Sequence, residues 1–96
     1  MPAPVRKGVD LSAGHCHGPL TPIEGSSTVI INGISVLRVG DHYTTHVCND
    51  GQDVQEAKAV GASSTVQAEG KFIHRIGDAI SCGDIAAAGS PNVFVG

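Results

Sequence analysis

The chain carries five histidines and three cysteines in 96 residues, and they are unevenly placed. "GHCHGP" (14–19) sets His15, Cys16 and His17 side by side. "GDHYTTHVC" (40–48) adds His42, His46 and Cys48, and "GDAISCGD" (77–84) adds Cys82. Two chemistries use such residues. Imidazole nitrogen and thiolate sulfur together suit a tetrahedral zinc site, which would also staple a small domain. Alternatively, Cys16 beside His15 and His17 could be a thiol nucleophile, with Asp41 orienting the base. Neighbours on an extended chain point to opposite sides, so Cys16 is expected to point away from its histidines. No Gly-rich phosphate cradle or paired-carboxylate motif accompanies it, and an enzyme is not expected. Three cysteines, an odd number, do not form a closed disulfide framework, which leaves metal ligation as the better reading.

The elements that must position these residues are repeats. "GSSTVIINGISVLRVGD" (25–41) aligns with "ASSTVQAEGKFIHRIGD" (62–78). Ser26-Ser27-Thr28-Val29 matches Ser63-Ser64-Thr65-Val66, Gly33 matches Gly70, and Arg38-Val39-Gly40-Asp41 matches Arg75-Ile76-Gly77-Asp78. A truncated copy, "GSPNVFVG" (89–96), closes the chain, and "KGVD" (7–10) reads as the tail of another. Self-similarity of this kind means one supersecondary unit used several times. The unit is a hairpin, with β-branched runs meeting at Asn32-Gly33 in one copy and Glu69-Gly70 in the next. The repeated Arg and Asp are expected to serve the turn, with Asp capping the bend and Arg pairing with it. "NDGQDVQEAKAV" (49–60) reads as a loop between repeats with room for one helical turn.

The composition agrees with an all-β fold. There are only three aromatic residues, while 13 Gly and 5 Pro punctuate Val, Ile and Ala. Ninety-six residues make one domain, with repeats over 22–48, 60–84 and 86–96 and with 1–21 completing the first. A net charge of −3, with six scattered Lys and Arg, argues against a nucleic-acid surface. No apolar run approaches the roughly 20 residues that span a bilayer. The N-terminal stretch shows no secretory signal, so synthesis in the cytoplasm and exit by another route are expected. No fused toxin domain is expected either.

Four of the five histidines follow the Gly-Asp of a repeat, or its degenerate first copy. If three repeats pack around a pseudo-threefold axis, His15/His17, His42/His46 and Cys82 converge from three bends at one end. His74 lies within a strand where the other copy has Leu37, and reads as a satisfied surface or core residue rather than a ligand. Cys48 has no counterpart in the repeat.

With "ISVLRVGD", "FIHRIGD", the opening "GHCHGP" and the closing "DAISCGDIAAAGSPNVFVG" in place, the chain resembles the PAAR-repeat proteins. These are small conical tip proteins of type VI secretion spikes and contractile phage tails. The Pro-Ala-Ala-Arg tetrapeptide itself is reduced to its Arg at Arg38 and Arg75. The resemblance implies a β-rich cone with pseudo-threefold symmetry, a zinc held by three His and one Cys near the apex, and a base seated on a trimeric β-helical spike. By position it implies His15, His46 and Cys82 as ligands. Where many members have a further His, "CNDG" (48–51) offers Asn49. His42 is assigned the fourth place, with His17 and then His74 as alternates, and iron is acceptable to the same donor set. The implied function is a structural tip that caps a VgrG-like or phage central spike and punctures a target membrane, with effectors docking separately. The rival is a free-standing zinc-binding interaction module.

Overall fold

The computed structural model describes residues 2–14, 19–48, 53–55 and 57–96, with backbone alone for 46–48 and 53–55. Its strands are short: β1 (Ile30–Ile31), β2 (Ile34–Ser35), β3 (His46–Cys48), β4 (Asp53–Gln55), β5 (Gln67–Ala68) and β6 (Lys71–Phe72). They pair antiparallel as β1–β2, β3–β4 and β5–β6, and no helix occurs among the described residues. The all-β expectation holds. Asn32 and Gly33 have φ of 56° and 77°, and Glu69 and Gly70 have 55° and 81°. Positive φ at both central residues gives the turn a twist that matches its strands, which explains why Asn-Gly recurs as a hairpin signal.

Backbone hydrogen bonds make the threefold repetition explicit. The Val5 amide donates to the His74 carbonyl, Leu37 to Val5, and His74 to Leu37, at 2.9–3.1 Å. Two residues on, Lys7 donates to Ser35, Val39 to Phe72, and Ile76 to Ala3. Each cycle closes on itself, so the three segments are equivalent about a common axis. The molecule measures 37 × 23 × 23 Å, with the two short axes equal as such an axis requires.

The repeated sequence features serve this geometry. Ser26, Ser63 and Ser90 are each buried, and each Oγ accepts amides two and three residues on. These turns open the strand of every copy, because a short hydroxyl can replace the missing backbone partner. The Ser26, Ser63 and Ser90 amides donate to Val36, Ile73 and Pro4, which fixes the equivalence of the three copies.

The bonds from Ser90 to Pro4 and from Val95 to Pro2 close the third hairpin with the two ends of the chain. The opening segment therefore completes the copy begun at 89–96, and not the copy at 22–48 as read from sequence. Arg6 and Asp10 had concealed this, because one extra residue separates them compared with Arg38/Asp41 and Arg75/Asp78.

Below the Gly-Asp turns, each copy forms a second antiparallel pair. Bridges Ser12–Ala86, Ala79–Ile85, Ala59–Ile80, His42–Lys58 and Pro22–Tyr43 link successive segments. The Ser12 amide, donating to Leu20, completes the circuit. Here 49–60 departs from the expected loop with a helical turn. Its described residues are extended, with β4 against β3 in the register His46↔Gln55, Val47↔Val54 and Cys48↔Asp53. Alternation there rests on Ala57 and Ala59, both buried, around exposed Lys58, and alanine is a weak strand signal.

The core has two parts. One joins Val36, Ala68, Ile73 and Val95 between the upper hairpins. The other joins Val5, Leu20, Leu37, Tyr43, Ala57, Ile80 and Ala86 inside the lower ring.

Candidate functional site

Each bend is hung from an Arg–Asp clamp. Asp41 Oδ2 accepts the Arg38 amide at 2.8 Å and Arg38 Nε at 2.9 Å, while Oδ1 takes Nη2 at 3.1 Å. Arg75/Asp78 repeats these values, and Arg6/Asp10 repeats the pattern at 2.7–2.9 Å. The intervening Gly8, Gly40 and Gly77 have φ of 81°, 90° and 87°, a region that strains a residue with a Cβ. Hydrogen bonding to the partner carboxylate pushes all three Arg pKa values up. The expected structural role of Arg and Asp is what the geometry shows.

Of the expected ligands, Cys82 and the backbone of His46 are described below these clamps. Cys82 lies in a tight turn in which the Gly83 amide donates to Ile80 and the Ile80 amide to Asp84. Its thiol is free, partly buried, and packed against the lower core. His46 opens β3, in the equivalent bend of the first copy, opposite Gln55. The His46 side chain, and His15 and His17 entirely, lie outside the described residues, as does Cys16; for Cys48 only the backbone, paired with Asp53, is described. Gly14, immediately before His15, donates its amide to both Asp84 carboxylate oxygens at 2.9–3.0 Å. The described chain thus brings the approach to His15 beside the Cys82 turn.

His42 takes a different place. Its neighbour Tyr43 is buried, so alternation sets His42 on the outer face, where its Nδ1 and amide engage Glu24. The His42 contact holds the Glu24 carboxyl below the usual range. A carboxylate on Nδ1 fixes the orientation of the His42 ring.

His74 is a core residue, which settles the choice between surface and core that the sequence left open. It is fully buried, with Nδ1 2.7 Å from the Gly61 carbonyl and Nε2 3.1 Å from the Tyr43 hydroxyl. A carbonyl only accepts, so Nδ1 carries the proton and Nε2 accepts from Tyr43. The two rings meet edge to face at 5.9 Å and 77°. Burial pushes the His74 pKa down and the Tyr43 pKa up.

Among the described residues, no group of three or more His, Cys, Asp or Glu stands together as a metal site. The donor chemistry nevertheless fits zinc, since borderline-soft imidazole and thiolate are its preferred ligands. Asp84 escaped the sequence reading. It was legible as an acid standing where the other copies carry Leu20 and Ala57, but that alignment needs the bend lengths.

At the opposite end, the hairpins leave large apolar side chains exposed. Ile30 and Phe94 occupy equivalent positions and are 51% and 54% exposed. In the second copy Gln67 takes that place, and its cross-strand partner Phe72 is the exposed apolar residue.

A family model, the PAAR motif, matches residues 12–88, most of the chain. A search of curated proteins finds no match.

Proposed function

The chain belongs to the PAAR-motif family, and on that premise we propose that it caps a trimeric β-helical spike and forms a metal-stabilised apex for membrane puncture. The role is structural rather than enzymatic. The observation that carries this reading is the closed cycle of hydrogen bonds through Val5, Leu37 and His74. It gives a single chain threefold pseudosymmetry, so one copy can seat on a threefold partner without forming a trimer itself.

The docking face is the hairpin end, with Ile30, Phe72 and Phe94 as apolar contacts, one from each copy. Large apolar side chains exposed once per copy suit a partner that offers the same pocket three times. The partner is a VgrG-like or phage central spike, and effectors would dock separately.

At the other end, His15, His46 and Cys82 would hold zinc, or iron, with His42 completing the set, and His17 and then His74 as alternates. His74 is the least suited, since both its ring nitrogens already have partners. A metal there would cross-link the bends and stiffen the point. The protein would join a contractile tail or secretion spike and leave the cell with it.

The test is a pull-down with the trimeric spike together with metal analysis. We expect one chain per spike trimer and one metal per chain, with Phe72→Asp and Phe94→Asp each lowering spike binding at least tenfold. A metal-loaded chain that binds no spike would leave the free-standing zinc module as the better reading.

A further inference from the structure

The lower ring repeats three times, yet one of its inward positions breaks the pattern. The amides of Ser12, Tyr43 and Ile80 donate to Leu20, Ala57 and Asp84 respectively, which makes these three acceptors equivalent. Two are apolar and buried. The third is a carboxylate that is only 3% exposed. A buried carboxylate is costly without partners, so its retention at an otherwise apolar position implies work that Leu or Ala does not do there.

Its contacts show what that work is. Asp84 accepts the Gly14 amide with both oxygens, and Oδ1 also accepts its neighbour's Ile85 amide at 2.8 Å. The Gly14 bond joins residues 70 apart in sequence and two different copies of the repeat. On one side of the link stands the Cys82 turn, closed by the Gly83–Ile80 and Ile80–Asp84 bonds. On the other, Gly14 (φ 87°) leads directly into His15. Backbone pairing at the same junction comes from the Ser12–Ala86 bridge and from the Ala13 amide, which donates to the Ile85 carbonyl.

We propose that Asp84 is a positioning residue for the apex metal, tying the Cys82 turn to Gly14, the residue before His15, so that less of the site is left to be ordered when metal binds. The inference rests on the metal reading above and adds to it a residue that is not itself a ligand. Outer partners of this kind typically contribute about 10–100-fold in metal affinity, because they reduce the ordering left for binding to supply. Asparagine at this position keeps the shape but replaces one acceptor oxygen with a donor, so one of the two Gly14 bonds is lost.

The experiment is a competition titration of the full chain with zinc against a chromogenic chelator, supported by cobalt substitution. Wild type, Cys82→Ser, Asp84→Asn and Asp84→Ala are compared, the last copying Ala57. Asp84→Asn and Asp84→Ala are expected to bind zinc about 10–100-fold more weakly. Their cobalt forms should show weakened thiolate-to-cobalt charge transfer, while the metal-free proteins keep the wild-type circular dichroism. Unchanged affinity in a folded Asp84 variant overturns the proposal, whatever happens to its melting temperature. Wild type that binds no metal, or a Cys82→Ser variant that binds as well as wild type, overturns the metal reading itself. Metal bound by wild type and lost in Cys82→Ser upholds that reading alone, so the two failures are distinguishable.

Discussion

The two ends of this molecule use the same threefold repetition differently. At the hairpin end the copies are nearly interchangeable: all three share the serine turn and the cyclic amide bonds, and the two continuous hairpins share the positive-φ corner. At the bend end the backbone circuit persists but the side chains diverge. Tyr43 faces Ser12 and Ile80 in the repeat, Asp84 faces Leu20 and Ala57, and the connections range from the tight Cys82-Gly83 turn to the β3–β4 hairpin. Symmetry is kept where backbone geometry alone closes the structure. It is relaxed where individual side chains have separate tasks.

The largest effect should come from breaking the element common to both ends. The Arg–Asp clamps are mostly buried and bond backbone as well as side chain. Removing one partner leaves the other charged and poorly solvated, at a cost of about 3 kcal/mol, toward the low end for buried pairs because the guanidinium keeps some water. We expect Asp41→Ala, Asp78→Ala and Asp10→Ala to lower unfolding stability in urea by similar amounts. Unequal losses would show that the copies are not energetically equivalent even at the level of the clamp.

These clamps also mark how far the sequence was legible. Ser-Ser-Thr-Val, Asn-Gly and Arg-x-Gly-Asp could be read directly, because each residue type satisfies one particular backbone bond or dihedral. The copy formed jointly by the two chain ends was misread. No turn sequence marks it, and the extra residue between Arg6 and Asp10 shifts its motif. The second limb of the bend at 53–59 was missed because alanine fills its inward positions. For the site, the bends were found from repetition, and His74 was read as a satisfied residue of surface or core, which the structure resolves to the core. Asp84 was not found, since a lone acid acquires meaning only once its apolar equivalents are known.

A middle-sized effect sharpens the contrast within the lower core. Tyr43→Phe removes the donor to His74 Nε2 and should cost about 1–3 kcal/mol, because a buried acceptor is left without its partner. The double variant Tyr43→Phe/His74→Leu, which restores the Leu37-like side chain, should recover part of that loss, and a double-mutant cycle in urea measures the coupling. The pH dependence has a definite sign. Burial lowers the His74 pKa from its ordinary 6.5. Stability from the neutral ring is therefore fully present above about 6.5 and declines as pH falls below it, since the unfolded chain binds the proton more readily. His74→Leu should flatten the melting curve in that window.

The smallest effect tests the hairpin end, where one copy departs from its neighbours at a corner. Asn32 reaches from its turn to Ser90 and Asn92 of the third copy, whereas Glu69 reaches from the matching turn to Ser26 and Ser27 of the first, and to Arg38. Hydrogen bonds from Ser26 and then Ser27 bring the Glu69 pKa down from 4.5 to about 2. The lowered value means that this latch is intact above about 4.5 and is lost as pH falls toward 2. Glu69 is solvent-facing, so Glu69→Gln should lower the melting temperature at neutral pH less than the clamp or core variants do. Its distinguishing mark is in acid: wild type should lose stability between pH 4.5 and 2 more steeply than Glu69→Gln. Parallel acid profiles for the two proteins would mean that the corner contacts are interchangeable with the Asn32 set, and that the hairpin end is symmetric in energy as well as in form.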